Sequence, residues 1–319
     1  MNIRISKPIC FSEIGQKSNQ EDALFPPIGH ATPSNRVLMV CDGMGGHEHG
    51  EVASNCVANI IGNILSDVPL CTSIEMQRHF EQALAMAYQE LDKLDNDPAT
   101  VRKMGTTLTF WAVCKDGVLI AHIGDSRVYQ LRQGTGVVFQ THDHSLLNDL
   151  IAAGELDEEG ARNFSQKNVI TRAVQPHQEY PSKASYKVIT DIRRGDLFFL
   201  CCDGIVEQLD NSDLEAILLT NEPLRERLNH LKKVCAQRET RDNHSCYAVE
   251  IEAVEGATMI EDVAKTITVE ATHKPVKSHR WLWWIIAGIA VVSAIAIWMF
   301  SHQENQEVPA VQGTIQRNK

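Results

Sequence analysis

Apolar residues along the chain follow two rhythms, and each predicts a kind of element. Val37–Cys41 and Leu197–Cys202 are short, unbroken apolar runs, as expected of strands buried on both faces. Both run straight into Asp-Gly, at 42–43 and at 203–204. Val52, Cys56, Ile60 and Ile64 recur at helical spacing, as do Met76, Phe80, Leu84, Tyr88 and Leu91. Two successive amphipathic helices are expected there. Thr106–Cys114 and Val118–Ile123 flank Lys-Asp-Gly as a hairpin, and Arg127–Leu131 and Val137–Gln140 flank Gln-Gly-Thr-Gly as a second. Ser212–Leu219 and Pro223–Gln237 read as helices and Ser245–Ile251 as a closing strand. Consecutive hairpins favour antiparallel sheets, and helices with one apolar face must cover them. The predicted fold is α+β, two antiparallel sheets packed together with helices outside.

One segment departs from both rhythms. Trp281–Phe300 is predominantly apolar and runs twenty residues without a charge. As a helix it would extend roughly 30 Å, the thickness of a bilayer's hydrocarbon layer. Tryptophans stand near both ends, at 281, 283, 284 and 298, where interfacial rings belong. Lys274, Lys277 and Arg280 precede the segment, whereas Glu304 and Glu307 follow it. The positive-inside rule then places the preceding domain in the cytoplasm and the short tail across the membrane. The expected organisation is a catalytic domain at 1–253, a linker at 254–280, a transmembrane helix at 281–300 in contact with lipid, and a tail at 301–319.

Composition narrows the class. A formal net charge of −11 argues against a nucleic-acid partner, which needs a basic face for phosphates. An anionic substrate stays open, because bound cations reverse the local field. Nine cysteines lie scattered with no Cys-x-x-Cys pair, which reads as reduced thiols and not as a disulfide or zinc framework. The N-terminus lacks the apolar core of a signal peptide.

The candidate chemistry lies in acids at strand ends. Asp42 follows Val-Leu-Met-Val-Cys, Asp203 follows Leu-Phe-Phe-Leu-Cys-Cys, Asp125 follows the 118–124 run, and Asp242 just precedes the last strand. Glu21 and Asp22 add two more. Carboxylates beside apolar strands repel one another and lose hydration, and a divalent cation is the simplest compensation. All-oxygen ligation selects Mg²⁺ or Mn²⁺. The competing reading of each Asp-Gly is a plain hairpin turn.

Ser18-Asn-Gln-Glu-Asp22, Val40-Cys-Asp-Gly-Met-Gly-Gly-His47, Gly105-Thr-Thr-Leu108, Ile123-Gly-Asp-Ser-Arg127, Asp143-His-Ser145, Cys202-Asp-Gly-Ile205 and Arg241-Asp-Asn-His244 follow one another in order. With this series, residues 10–252 resemble the type 2C (PPM) metal-dependent protein serine/threonine phosphatases of bacterial type. The resemblance implies a four-layer αββα sandwich with a metal centre at one end. It implies that Asp42 bridges two Mn²⁺ or Mg²⁺ ions, with the Gly43 carbonyl, Asp203 and Asp242 as further ligands. Asp125 would join Asp203 at a third, weaker ion, Glu21 and Asp22 would hold metal-bound waters, and Asn243 and Gly204 would shape the adjoining loops. The implied reaction is hydrolysis of phosphoserine and phosphothreonine in cytoplasmic proteins by a metal-activated water, opposing a kinase. By the same resemblance the setting is a bacterial inner membrane.

Two positions depart from better-known eukaryotic members. Lys17 stands where many carry a phosphate-gripping arginine, so the charge is kept but the planar fork is lost. Lys17 is expected to bind phosphate, against the alternative of a solvated surface lysine. Met44 stands where eukaryotic members often have a histidine, as in bacterial relatives, and leaves the proton donor unassigned. His47-Glu-His49 and His142-Asp-His144 are expected to be loops near the site and not zinc ligands. Leu146–Val169 resembles the family's flap. Two other functions compete: a membrane-tethered binding module without activity, and a hydrolase of small phosphorylated metabolites.

Overall fold

The computed structural model describes residues 1–45, 49–95, 104–157, 160–161, 164–166 and 169–256. Strands β1 (Asn2–Ile5), β2 (Ile9–Glu13), β3 (Ala23–Phe25), β4 (Val37–Cys41) and β5 (Gly43–Met44) lead into helices α1 (Gly50–Ser66) and α2 (Ser73–Leu94). Then come β6 (Gly105–Thr106), β7 (Leu108–Cys114), β8 (Gly117–Ile123), β9 (Arg127–Arg132), β10 (Gly136–Gln140), α3 (Leu146–Ala152) and β11 (Ser185–Ile189). The described part closes with β12 (Leu197–Cys201), the short α4 (Asp203–Val206), α5 (Asn211–Leu218), α6 (Leu224–Gln237) and β13 (His244–Glu255).

Two large antiparallel sheets result, beside a two-stranded ribbon of β5 and β6. One runs β1-β13-β12-β9-β10, with β2 also on β13, and the other runs β11-β8-β7-β4-β3. Side chains alternate across each strand, so each sheet faces two cores. Leu38, Val40, Trp111 and Val113 of one sheet meet Phe198, Leu200, Tyr247 and Val249 of the other, all buried between the sheets. The intervening Met39, Phe110 and Ala112 pack under α1 and α2 with Ile61, Phe80 and Leu91. Leu197, Phe199 and Cys201 pack under α5 and α6 with Leu214, Leu228 and Leu231. The fully apolar runs at 37–41 and 197–201 are therefore strands covered on both faces, in the four-layer order expected.

Local chemistry sets the ends of the helices. Thr72 and Glu75 form a reciprocal capping box at α2, and Asp210 and Asp213 form another at α5. Lys115-Asp116 is a true two-residue hairpin turn between β7 and β8, and the Asp116 carboxylate also accepts from Ser73 N at the start of α2. Asp203-Gly204 is not a turn: it opens α4. The short strands β1, β2, β3 and β11 had no clear signal in the apolar rhythm, being brief or only partly buried.

Strand β13 runs to Glu255, two residues beyond the expected domain end. The proposed transmembrane segment 281–300, the tail 301–319 and the linker from 257 onward lie outside the described residues. Among the described residues no helix is long and apolar enough to cross a membrane.

Candidate metal centre

Strand pairing gathers the acids at one end of the sandwich. In one sheet Ala23 on β3 pairs with Cys41 on β4, so Asp22 and Asp42 leave the same sheet edge side by side. In the other sheet Cys201 on β12 pairs with both Cys246 on β13 and Arg127 on β9, which sets Asp203 near Asp242 and near the 124–126 connection. That connection passes from β8 in the first sheet to β9 in the second and carries Asp125.

Asp22 is only 7% exposed. Asp42, Asp125, Asp203 and Asp242 are half-buried. Oxygens of Asp22 and Asp42 lie within 4.8 Å of each other and of the Cys202 sulfur. Burial, reinforced by Asp22 and Asp203, pushes the Asp42 carboxyl well above the usual carboxylate range. Burial and facing acids push Asp22 and Asp125 up to about 7. Burial, with the charges of Asp242 and Glu207 beside it, raises Asp203 as well. Asp22 Oδ1, Asp125 Oδ1 and Asp203 Oδ1 are buried without a hydrogen-bond partner.

Such oxygens are costly unless something satisfies them. A hard divalent cation, which takes six or more oxygens, would do so and would remove the mutual repulsion. The donor set therefore fits Mg²⁺ or Mn²⁺. Of the residues expected at the site, Asp42, Asp203, Asp242, Asp125 and Asp22 are brought together. Lys17 joins them, its ammonium 2.9 Å from Asp242 Oδ1.

Residues 11–243 match the family described as protein phosphatase 2C. The chain belongs to that family. It is 30% identical over 233 residues to the protein phosphatase PhpP of Streptococcus pneumoniae, covering 73% of this chain and 92% of that one. Among solved structures it resembles the serine/threonine phosphatase of S. agalactiae, with a TM-score of 0.67 at 28% identity, over 79% of this chain and all of that one. It also resembles the catalytic domain of the phosphatase PstP, whose structure holds two manganese ions, with a TM-score of 0.61 at 25% identity, over 78% and 99% of the two chains.

Other residues of the phosphatase hold the acids in place. The Asp42 backbone is fixed from both sides: its N–H donates to Thr107 Oγ1 at 3.0 Å, and its carbonyl accepts from Thr107 N and Thr106 Oγ1, each at 2.9 Å. Thr107 Oγ1 also meets Ser126 Oγ at 2.7 Å, tying the Asp42 strand to the loop of Asp125. Asn243 Oδ1 accepts from Glu21 N at 2.7 Å, while its amide donates to the Ile14 and Asn19 carbonyls. One side chain thus joins the 14–21 segment to the loop of Asp242. A Cβ on Gly43 would lie 2.3 Å from the Gly50 carbonyl oxygen and 2.4 Å from that of Glu21, so only glycine lets these backbones meet. At Gly204 a Cβ would stand 2.1 Å from the Asn243 carbonyl oxygen.

The threonines at 106–107 were visible as part of a motif, but nothing in their spacing gave them a role. Cys202 carries no signal in the sequence beyond that of a reduced thiol. Arg127 is a further case: its guanidinium forms a forked pair with Asp143, at 2.8 and 2.6 Å. The two wall a cleft of about 390 Å³ that opens beside Asp125 and Asp203, with His142, Leu147 and Asn148 on its rim. The described start of the Leu146–Val169 segment is thus adjacent to the site. His144 acts as a brace: Gly124 N donates to its Nδ1 and its Nε2 bonds Ser185 Oγ. His142 offers its carbonyl to His122. His47 lies outside the described residues.

Proposed function

We propose that the phosphatase hydrolyses phosphoserine and phosphothreonine in cytoplasmic proteins, with Mn²⁺ or Mg²⁺ held by Asp42, Asp203, Asp242 and the Gly43 carbonyl. Asp125 with Asp203 would take a third ion, and Glu21 and Asp22 would orient water at the ions. When bound, such ions lower the pKa of water and neutralise phosphoryl oxygens.

The chain's own residues supply the rest. Thr106 and Thr107 hold Asp42, and Asn243 holds Glu21 against the Asp242 loop, so the ligands are positioned before substrate arrives. Lys17 carries a positive charge at the rim; burial opposes that charge, but the hydrogen bond to Asp242 and the negative charges of Asp242, Glu21 and Asp42 together outweigh it and raise its pKa. Once cations occupy the acids, this ammonium is free to meet a phosphate oxygen. The observation that carries the reading is the convergence of acids from distant segments, three of them with an orphaned buried oxygen.

Residues 281–300 are proposed to anchor the chain in a bacterial inner membrane, with domain 1–253 and its linker on the cytoplasmic side, near an opposing kinase. The support is their apolar length and the basic flank before them.

The test is phosphate release from a phosphothreonine peptide by the full chain in detergent, with Mn²⁺, with Mg²⁺ and with chelator. Activity is expected with either ion and lost with chelator and in Asp42→Ala and Asp242→Ala. Activity that survives chelation would overturn the metal mechanism. Release from small phosphomonoesters alone would favour a metabolite hydrolase.

A further inference from the structure

Behind the oxygen-rich centre lies a sulfur that the hydrolytic reading does not use. Cys202 is fully buried, and its thiol donates to Asp22 Oδ2 at 3.3 Å. Ser245 N–H donates back to the same sulfur at 3.0 Å. The sulfur and one oxygen each from Asp22 and Asp42 all lie within 4.8 Å of one another. Asp22 is itself more than nine-tenths buried, and its other oxygen, Oδ1, has no partner.

This donor set differs in kind from that of the centre beside it. Sulfur is a soft ligand, and one thiolate with two carboxylates selects a borderline cation such as Zn²⁺ over Mg²⁺. Zn–S of about 2.3 Å and Zn–O of about 2.1 Å place tetrahedral sulfur and oxygen ligands about 3.6 Å apart. The observed 3.3 Å between Cys202 Sγ and Asp22 Oδ2 is already close to that separation. The Ser245 N–H aimed at the sulfur would orient and stabilise a thiolate, the role that hydrogen-bonding neighbours play around metal ligands.

We propose that Asp22, Asp42 and Cys202 form a second, thiophilic cation site that takes Zn²⁺, with water as the remaining ligand. On binding, the Zn–S bond replaces the S–H bond and the proton leaves to solvent; no electron changes hands. Because Asp42 is shared, Zn²⁺ here draws that carboxylate away from the proposed Mn²⁺ or Mg²⁺ ligand set, so occupancy inhibits. The inhibitory consequence rests on the proposed function, but the site itself does not.

The experiment therefore reads the site without catalysis. The metal-stripped full chain in detergent is titrated with Co²⁺ and with Zn²⁺ against a chromophoric chelator, in excess Mg²⁺. The wild type is expected to show a near-ultraviolet thiolate-to-cobalt band and to bind Zn²⁺ at least tenfold more tightly than Cys202→Ser. Cys56→Ser, on α1, should keep both properties. Equal Zn²⁺ affinity in Cys202→Ser, with no change in the Co²⁺ spectrum, overturns the proposal. If Cys202→Ser fails to fold, zinc-edge X-ray absorption of the unmodified protein decides. A sulfur shell at about 2.3 Å supports the site, and oxygen and nitrogen scatterers alone overturn it. A chain that lacks phosphatase activity but shows the sulfur shell would refute the proposed reaction and leave this site standing.

Discussion

The Lys17 ammonium lies 2.9 Å from the Asp242 carboxylate, a pair that closes one side of the acid cluster. The same residue is drawn by Glu21 and Asp42, so it serves as a counter-charge to several acids at once. A cation entering the cluster competes with it. Lys17→Ala should therefore tighten Mn²⁺ binding a few-fold, because a repelling charge is gone. It should also lower kcat/KM for a phosphopeptide by about tenfold, equivalent to about 1.4 kcal/mol of transition-state stabilisation. Lys17→Arg should retain most of the activity. Mn²⁺ titration alongside steady-state kinetics separates these effects. Unchanged kcat/KM in Lys17→Ala would make Lys17 a surface lysine.

The Asn243 side chain makes three hydrogen bonds across the chain, to Glu21 N, the Ile14 carbonyl and the Asn19 carbonyl. It is 3% exposed, so Asn243→Ala leaves these partners without water to replace it. A loss of about 2–4 kcal/mol is expected, which shifts Tm by roughly 5–10 °C in a domain of this size. Mn²⁺ affinity should fall as well, since the loops of Glu21 and Asp242 lose their tie. Calorimetry with and without Mn²⁺ checks both.

Cation removal should cost most stability at high pH. In the metal-free chain Asp22 and Asp125 titrate near 7, and Asp42 and Asp203 are raised in the same direction, all through burial and mutual repulsion. Their folded pKa values exceed the unfolded ones, so their contribution is favourable below about pH 4 and is lost as pH rises through about 7. In chelator, Tm should fall between pH 5.5 and pH 8. The rise in Tm on adding Mn²⁺ should be at least about 5 °C larger at pH 8 than at pH 5.5. Equal gains at the two pH values would contradict the clustering of these acids.

His144 should have the opposite sign. Burial, then the neighbouring His122 and Arg172, holds its imidazole down to about 4. Its Nδ1 accepts from Gly124 N at 3.1 Å, directly before Asp125, and its ring stacks on His122 at 4.5 Å. As pH falls from 6.5 toward 4 the unfolded chain takes up the proton first, so stability present above 6.5 is lost, by up to about 3 kcal/mol. His144→Asn keeps an acceptor for Gly124 without a titrating ring. Urea unfolding in chelator at pH 7.5 and pH 5 should show that the variant's stability relative to wild type improves by 1–3 kcal/mol, on the order set by that shift. Taking the difference between the chains cancels the shared carboxylates.

The elements of the fold were legible to the extent that burial leaves a local trace. Leu38, Met39 and Val40 announce a strand covered on both faces because alternate side chains enter different cores. Phe80, Leu84 and Leu91 announce a helix because one face meets one core. Strands β2 and β11 lack such a trace, since their residues are largely half-buried or exposed and their place is set by pairing with β13 and β8.

The sequence by itself determined the two-sheet, helix-covered architecture, the class of chemistry through the order of its motifs, and the acids that could carry it. Periodicity and composition are local properties, and a short motif survives in the string whatever the chain does around it. Only the tertiary structure decided which acids share space, that Thr107 braces Asp42, that Lys17 meets Asp242, and that Cys202 stands beside Asp22, 180 residues away in the chain. Those relations arise from strand register between distant segments, where one residue of slip would turn each side chain to the opposite face. No local pattern encodes that choice; the packing of two sheets against each other makes it.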